Sequence, residues 1–322
     1  MHLTNREINQ FQEAGYVVKP DVFTTEDLQA FKDRINEIVD TEVKKHVEQK
    51  HIKNLFEDEG FETRLARVYD ESKETGQAIA SAIMGKGGGG FSDQEILQIL
   101  RHPPLVDCVS NLVGPDVVGS SVYRIRIKMP HYPQGEVPWH QDSGYFLAHC
   151  DRQMIVTCWI PLVDATLDNG CLYVLPDAHR HGIHRHYTGG HAGFLEIPED
   201  ELLAMDPVPV EMKQGDVLFL TNLTPHASYQ NKSDIVRWSL DLRYQSMDVP
   251  NNINEDPATY IPERDTVTMA CYPSEADFII RDTDHPEREI STSGAFKEIR
   301  DRYENAKPHN PGRGWTSLSE RK

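Results

Sequence analysis

The stretch GDVLFLTNLTPHASYQNKSDIVRWSLDLRY, residues 215–244, decides the fold class. It holds two runs rich in β-branched and aromatic residues, VLFL and IVRWSLDLRY, separated by Thr, Pro, Asn, Ser and Asp. That pattern predicts a strand, a turn and a return strand rather than a helix. Two polar residues stand out within it. His226 ends the first run, and Arg237 lies eleven residues further on, between IV and WSL, where a charge needs a partner in the interior. Ser239 is two residues beyond Arg237 and faces the same way on an extended chain. A planar guanidinium with a hydroxyl beside it suits a carboxylate.

Upstream the same texture extends back to about residue 117 through VVGSSVYRIRIKM, IVTCWIPLV and CLYVL. The dipeptide Asn169-Gly170 between two of these runs predicts a tight hairpin. Short strands at this spacing, without helices between them, predict a β-sandwich or barrel core over residues 116–245. Alternation along YRIRIKMP places Arg124, Arg126 and Lys128 on one face. Residues 1–115 read instead as mostly helical, packed on that core. Thr4 and Glu7 are spaced as a capping box before Ile8 and Phe11, and Thr24 precedes a stripe of Leu28, Phe31, Ile35, Ile38 and Val39. YVV between these two helices predicts a short strand. Ser92 and Glu95 form a third capping box, Pro103 and Pro104 close that helix, and LVDCVSNLVG predicts another. Residues 246–322, including PGRGW, form a C-terminal extension expected to serve substrate selection or oligomer contacts. The whole chain, 1–322, is read as a single domain.

With 322 residues, 38% of them hydrophobic, the chain can bury one large core. A net charge of -18 makes nucleic acid and anionic membranes poor partners. Cys108, Cys150, Cys158, Cys171 and Cys271 are scattered and never in C-x-x-C spacing, so neither a disulfide framework nor a thiolate zinc site is indicated. The N-terminus is polar and no apolar run is long enough to span a bilayer, so a soluble, cytoplasmic protein is expected. MGKGGGG, residues 84–90, has a Gly-Lys pair but lacks the Ser or Thr that a phosphate loop needs, and reads as a surface loop or lid.

The chemistry is suggested by WHQD, residues 139–142. His140 and Asp142, two residues apart on an extended strand, point to one side and so offer two adjacent metal ligands. A metal that activates dioxygen is served by two imidazoles and one carboxylate, which leave three positions open. The third ligand must come from another strand, where His226 is the candidate. The tract HRHGIHRHYTGGH, holding His179, His181, His184, His186 and His191, competes for a metal. It has no regularly interleaved carboxylate and reads as a polar loop.

In these three features together the sequence resembles the phytanoyl-CoA dioxygenase-like family of non-haem iron, 2-oxoglutarate-dependent oxygenases. The matching stretches are WHQD, CWIPLVDATLDNGCLYVLP (158–176) and residues 215–244, and with the helical third the likeness covers most of residues 5–245. The resemblance implies a mainly β fold with flanking helices, a double-stranded β-helix or cupin-like jelly roll. It implies iron(II) held by His140, Asp142 and His226, with 2-oxoglutarate and dioxygen as co-substrates. Arg237 would take the distal carboxylate of 2-oxoglutarate, while Ser228 and Trp159 match positions that line it. Ser239 is added from geometry. Arg124 falls where the family has a co-substrate-lining residue that is usually uncharged. PDAH departs from the Gly-Ser-His common in the family, so no role transfers to His179.

The implied activity is hydroxylation of an unactivated C–H bond of a small molecule, with release of succinate and carbon dioxide. The carboxylate of Asp142 favours it, because related halogenases carry a small residue there. If Arg124 and Arg126 face the cavity, an anionic group on the substrate is expected. Two other readings stay open at this level. One is a jelly-roll metalloenzyme that works without 2-oxoglutarate, against which Arg237 argues. The other is a noncatalytic metal-binding protein that uses the tract from His179 to His191.

Overall fold

The computed structural model describes residues 1–84, 91, 93–120, 122–259, 276–304 and 313–321. Helix α1 (Asn5–Ala14), strand β1 (Tyr16–Lys19) and helices α2 (Thr25–Glu48), α3 (Arg64–Glu71), α4 (Lys73–Met84), α5 (Gln94–Leu100) and α6 (Pro103–Val113) make up the first third. Local chemistry starts the first two helices. The Thr4 hydroxyl accepts from the Glu7 amide while Glu7 accepts from that of Thr4, and Thr24 and Asp27 repeat the arrangement at α2. The predicted stripe of α2 is buried at Leu28, Phe31, Ile35 and Val39, each worth about 1.5–3 kcal/mol relative to exposure. Helix α5 is capped by Asp93, which accepts from the Ile96 amide at 3.3 Å. Ser92, the expected cap, lies outside the described residues. Pro103 and Pro104 occupy the first turn of α6, where a missing N–H leaves no bond unmade.

Strands β2 (Val117–Ser120), β3 (Arg124–Lys128), β4 (Val137–His140), β5 (Ile155–Pro161), β6 (Leu172–Val174), β7 (Val208–Val210), β8 (Val217–Thr221), β9 (His226–Ser228) and β10 (Arg237–Ser246) follow. Strand β11 (Asp277–Arg281) and helix α7 (Ser293–Glu304) come from the C-terminal part. A seven-stranded sheet runs β1-β8-β5-β10-β2-β11, with β3 also on β10, and a four-stranded sheet runs β4-β9-β6-β7. All pairings are antiparallel, and the two sheets form the jelly-roll core. Alternation assigns the faces. Val156, Cys158, Ile160, Trp238, Leu240, Leu242 and Tyr244 join the helices in the larger apolar cluster. The intervening Thr157, Trp159, Arg237, Ser239, Asp241 and Arg243 therefore face the space between the sheets.

Two expectations are corrected here. Asn169-Gly170 does not close a hairpin, because β5 and β6, on either side of it, belong to different sheets. The turn carries the chain between layers, and Gly170 has φ +83°, with room for no Cβ: one would sit 2.7 Å from the Tyr229 carbonyl oxygen and from Lys128 Cδ. The sheet also reaches outside residues 116–245, since β1 and β11 each add a strand at its edges. The glycine run after Met84 lies outside the described residues, as does Cys271. The other four cysteines are free and buried, and burial raises the Cys108 thiol to about 11. No helix among the described residues is long and apolar enough to cross a membrane.

Candidate metal centre

Strands β4 and β9 are neighbours, with His140 directly opposite His226 and their ring centroids 4.2 Å apart. Asp142 follows β4 at the start of a single 3-10 turn, Asp142–Gly144. One ligand atom from each of the three lies within 4.8 Å of the others, and all three residues are buried. Among the described residues no other group of His, Cys, Asp and Glu is placed this way.

The surroundings prepare each ligand. The Nδ1 of His140 bonds the Pro138 carbonyl and that of His226 the Thr224 carbonyl, both at 2.9 Å. Those bonds fix Nδ1 as the protonated nitrogen and leave Nε2 as a lone pair for a cation. Burial, reinforced by His226, lowers the pKa of His140 well below its ordinary value. Burial alone would raise Asp142, but Arg243 and the two imidazoles hold its carboxyl far below the usual carboxylate range. Arg243 Nη2 donates to Asp142 Oδ1 at 2.9 Å, Nη1 to the Val122 carbonyl at 2.8 Å, and the Thr157 hydroxyl donates to Asp142 Oδ2. Two imidazoles and an ionised carboxylate on one face are a donor set that suits iron(II).

Between the two ligands of β4, Gln141 points the other way. Its Nε2 donates to the carbonyls of Gly182 and Leu223 at 2.8 and 2.6 Å, and its Oε1 accepts from the His184 amide at 2.7 Å. The Gln141 amide donates to His186 Nε2 at 3.0 Å, while His186 Nδ1 bonds the His184 carbonyl. The histidine tract therefore braces the back of the ligand strand. His179 bonds the Gln12 carbonyl and His191 that of Pro133, and among the described residues the tract contributes no metal-ligand group.

A cavity of about 150 Å³ adjoins the triad, walled by Arg126, Lys128, Trp159, Ser228, Arg237 and Asp241. Arg237 is 2% exposed. Its Nη1 donates to Ser239 Oγ at 2.5 Å and Nη2 to Ser228 Oγ at 3.4 Å, and the guanidinium lies 5.3 Å from the Trp159 ring centre. Among the described residues it has no carboxylate within ion-pair distance, and its Nε has no partner. Burial lowers its pKa to about 10. A buried guanidinium in that state fits a carboxylate brought by a ligand. Lys128 is a second buried basic group beside it, donating to the carbonyls of Ser228 and Tyr229 at 3.0 and 2.6 Å.

The structure brings His140, Asp142, His226, Trp159, Ser228, Ser239 and Arg237 to one region. Arg124 is not among the residues that line the cavity, because it opens β3 and its Nη1 turns back to the Tyr123 carbonyl. Arg126 lines it instead, with Nε donating to Asp241 Oδ2 at 2.8 Å. Thr157, Asp241 and Arg243 were not anticipated. A signal existed for two of them: in Arg-x-Ser-x-Asp-x-Arg, residues 237–243, polar groups recur with period two inside an apolar strand.

A sequence model of the family described as Phytanoyl-CoA dioxygenase (PhyH) matches residues 11–239. The mouse protein named phytanoyl-CoA dioxygenase domain-containing protein 1 is 26% identical over 257 residues, covering 72% of this chain and 86% of that protein. Among solved structures, the non-heme monooxygenase ThoJ in its apo form superposes with a TM-score of 0.54 at 19% identity, over 92% of this chain and 95% of that one. The epimerase SnoN, in complex with Fe3+, alpha ketoglutarate and nogalamycin RO, gives 0.50 at 17% identity, over 75% and 82%. At those identities the structural likeness concerns the fold alone.

Proposed function

This chain belongs to the phytanoyl-CoA dioxygenase family of non-haem iron, 2-oxoglutarate-dependent oxygenases, and from that membership we propose that it hydroxylates an unactivated C–H bond of a small molecule bearing an anionic group, releasing succinate and carbon dioxide. In this reading His140 and His226 hold iron(II) through Nε2 and Asp142 through a carboxylate oxygen. Arg237, with Ser228 and Ser239 at its guanidinium and Trp159 as the wall beneath, takes the distal carboxylate of 2-oxoglutarate. Bound iron, with 2-oxoglutarate and dioxygen, supplies the oxidising chemistry that no side chain has.

The chain itself does the rest. Arg243 and Thr157 keep the Asp142 carboxyl ionised and oriented, and the carbonyls of Pro138 and Thr224 set the imidazole tautomers. Leu172, Leu220 and Phe194 line the cavity with apolar surface that limits water. Arg126 reaches the same cavity and, among the described residues, gives only its Nε to Asp241, which leaves its Nη donors for an anion on the substrate. Buried free thiols suit a reducing, cytoplasmic setting.

One observation carries the proposal: a buried guanidinium without a carboxylate partner among the described residues, next to a three-ligand face. Its test is an anaerobic titration of the iron(II) protein with 2-oxoglutarate, watching for the weak visible charge-transfer band of a chelate. The band is expected in the unaltered protein and absent from His226→Ala. Its persistence in that variant, or its absence throughout, refutes the reading. A succinate-release screen that pairs acidic compounds with their neutral analogues then tests the anionic group, with turnover confined to neutral compounds as the contrary result.

A further inference from the structure

Residues 313–321, the last that are described, return to the metal centre from the far end of the chain. Arg313 makes a two-pronged ion pair with Asp151, both contacts 2.7 Å, and its Nη1 also donates to the Ser143 carbonyl at 3.0 Å. Trp315 donates its indole N–H to the Gly144 carbonyl at 2.8 Å and lies 5.3 Å from His186, ring centre to ring centre. Further on, Thr188 exchanges backbone bonds with Thr316 and Leu318 at 2.9 Å each, and Arg321 pairs with Asp200 and Glu201 at 2.6 Å. The segment is thus tied down beyond its contact as well.

Ser143 and Gly144 are the two residues that follow Asp142. Their turn is a single 3-10 turn, closed by bonds from the Gly144, Tyr145 and Phe146 amides. So short a turn has little stability of its own. His186 presses directly on it: a Cβ on Gly144 would come within 2.6 Å of the imidazole. Trp315 touches both, its indole tilted 37° to that imidazole and hydrogen-bonded to Gly144, so turn, His186 and indole meet in one cluster. The direction in which Asp142 leaves the backbone is set by this turn, and the outward carbonyls of the turn are held by Arg313 and Trp315.

We propose that Arg313 and Trp315 are positioning residues for the metal centre: the C-terminal segment is a strap that fixes the Asp142–Gly144 turn and thereby aims the carboxylate at the two imidazoles. The proposal rests on the reading of His140, Asp142 and His226 as iron ligands. It also gives a role to the Arg and Trp of PGRGW.

The test uses the full chain with Trp315→Phe, which keeps the ring and removes the donor, and Arg313→Gln. Iron(II) affinity is measured anaerobically by competition with a chelator, and amide hydrogen exchange of the metal-free protein is followed across residues 142–146. Each variant is expected to bind iron(II) about tenfold more weakly, in line with the effect of partners that orient ligands. Exchange in the turn should quicken about tenfold with the amides of β10 unchanged, and in Trp315→Phe, which leaves the Arg313–Asp151 pair intact, with the melting temperature unchanged as well. Affinity within twofold of the unaltered protein, or unchanged exchange in the turn, overturns the strap. So does a loss of affinity that only follows a lowered melting temperature. No iron uptake by the unaltered protein overturns the ligand reading instead, and the exchange data still report whether the strap holds the turn.

Discussion

Replacing Arg243 by Met removes the charge that faces Asp142 while keeping an unbranched apolar stem. The side chains of the pair are 7% and 4% exposed, so the carboxylate that remains would have one hydroxyl partner, Thr157, and almost no water. Breaking such a buried pair from one side costs about 3–5 kcal/mol. A chain of this size loses roughly 2 °C of melting temperature per kcal/mol, which puts the metal-free variant about 6–10 °C below the unaltered protein. A divalent cation held by His140, Asp142 and His226 places positive charge against the same carboxylate, so saturating nickel(II) should recover a large part of the loss. Recovery stays incomplete because Arg243 also donates to the Val122 carbonyl and lies over the Phe146 ring. The assay is thermal and urea unfolding of both proteins with and without the ion. A metal-free loss below about 1 kcal/mol, or a loss that nickel(II) leaves unchanged, refutes the coupling of Arg243 to the ligand carboxylate.

Arg237→Leu should weaken 2-oxoglutarate binding to the zinc-loaded protein by at least about 30-fold, the lower end for removing one partner of a buried charge pair, with zinc affinity unchanged. Calorimetric titration reads this, and a change under threefold counts against Arg237 as the carboxylate anchor. Burial lowers His186 from 6.5 to about 4, so its neutral form is the one the fold favours. The associated stability is complete above pH 6.5 and is lost as pH falls from 6.5 through 4, about 3 kcal/mol in all. His186→Gln should flatten the stability profile in that window, and identical acid slopes in urea melts of the two proteins contradict it. Gly144→Ala forces a methyl against the His186 ring, with an expected cost of about 1–3 kcal/mol. A variant as stable as the parent would mean that the turn and the imidazole are not in close contact.

What the sequence revealed follows the range of the interactions involved. The starts of α1 and α2 depend on atoms three residues apart, so Thr4 and Thr24 were readable as caps. Strands were readable from their side chains, but their allocation to sheets was not. Asn169-Gly170 has hairpin chemistry, yet its glycine answers to Lys128 and Tyr229, which only the folded sheets bring there. Strands β1 and β8 pair across some two hundred residues, and nothing in YVVK announces its partner. At the centre, the spacing of His140 and Asp142 and the isolation of Arg237 in an apolar run were local signals. Arg243 became meaningful only when β10 was laid opposite β5 and next to the turn after β4, 101 residues from Asp142. Trp315 is further still, 171 residues from Gly144, and PGRGW, read as part of an extension for substrate selection or oligomer contacts, names no such partner.

The charges inside the jelly roll show why Arg237 and Lys128 belong together. In a chain of net charge -18, this cavity collects Arg126, Lys128, Arg237 and Arg243 against Asp142 and Asp241. Arg243 is matched by Asp142 and Arg126 by Asp241. Among the described residues Arg237 and Lys128 are left, and they are register partners across β10 and β3, where two like charges would oppose pairing. Burial and the neighbouring Arg237 push the Lys128 pKa well down, and two backbone carbonyls hold its amine. The lowered pKa eases that repulsion by favouring the neutral amine, which leaves Arg237 as the cation of this wall with no carboxylate within ion-pair distance among the described residues. The hydroxyls of Ser228 and Ser239 orient the guanidinium without neutralising it, and in the proposed function an entering carboxylate would gain charge-assisted bonds from it.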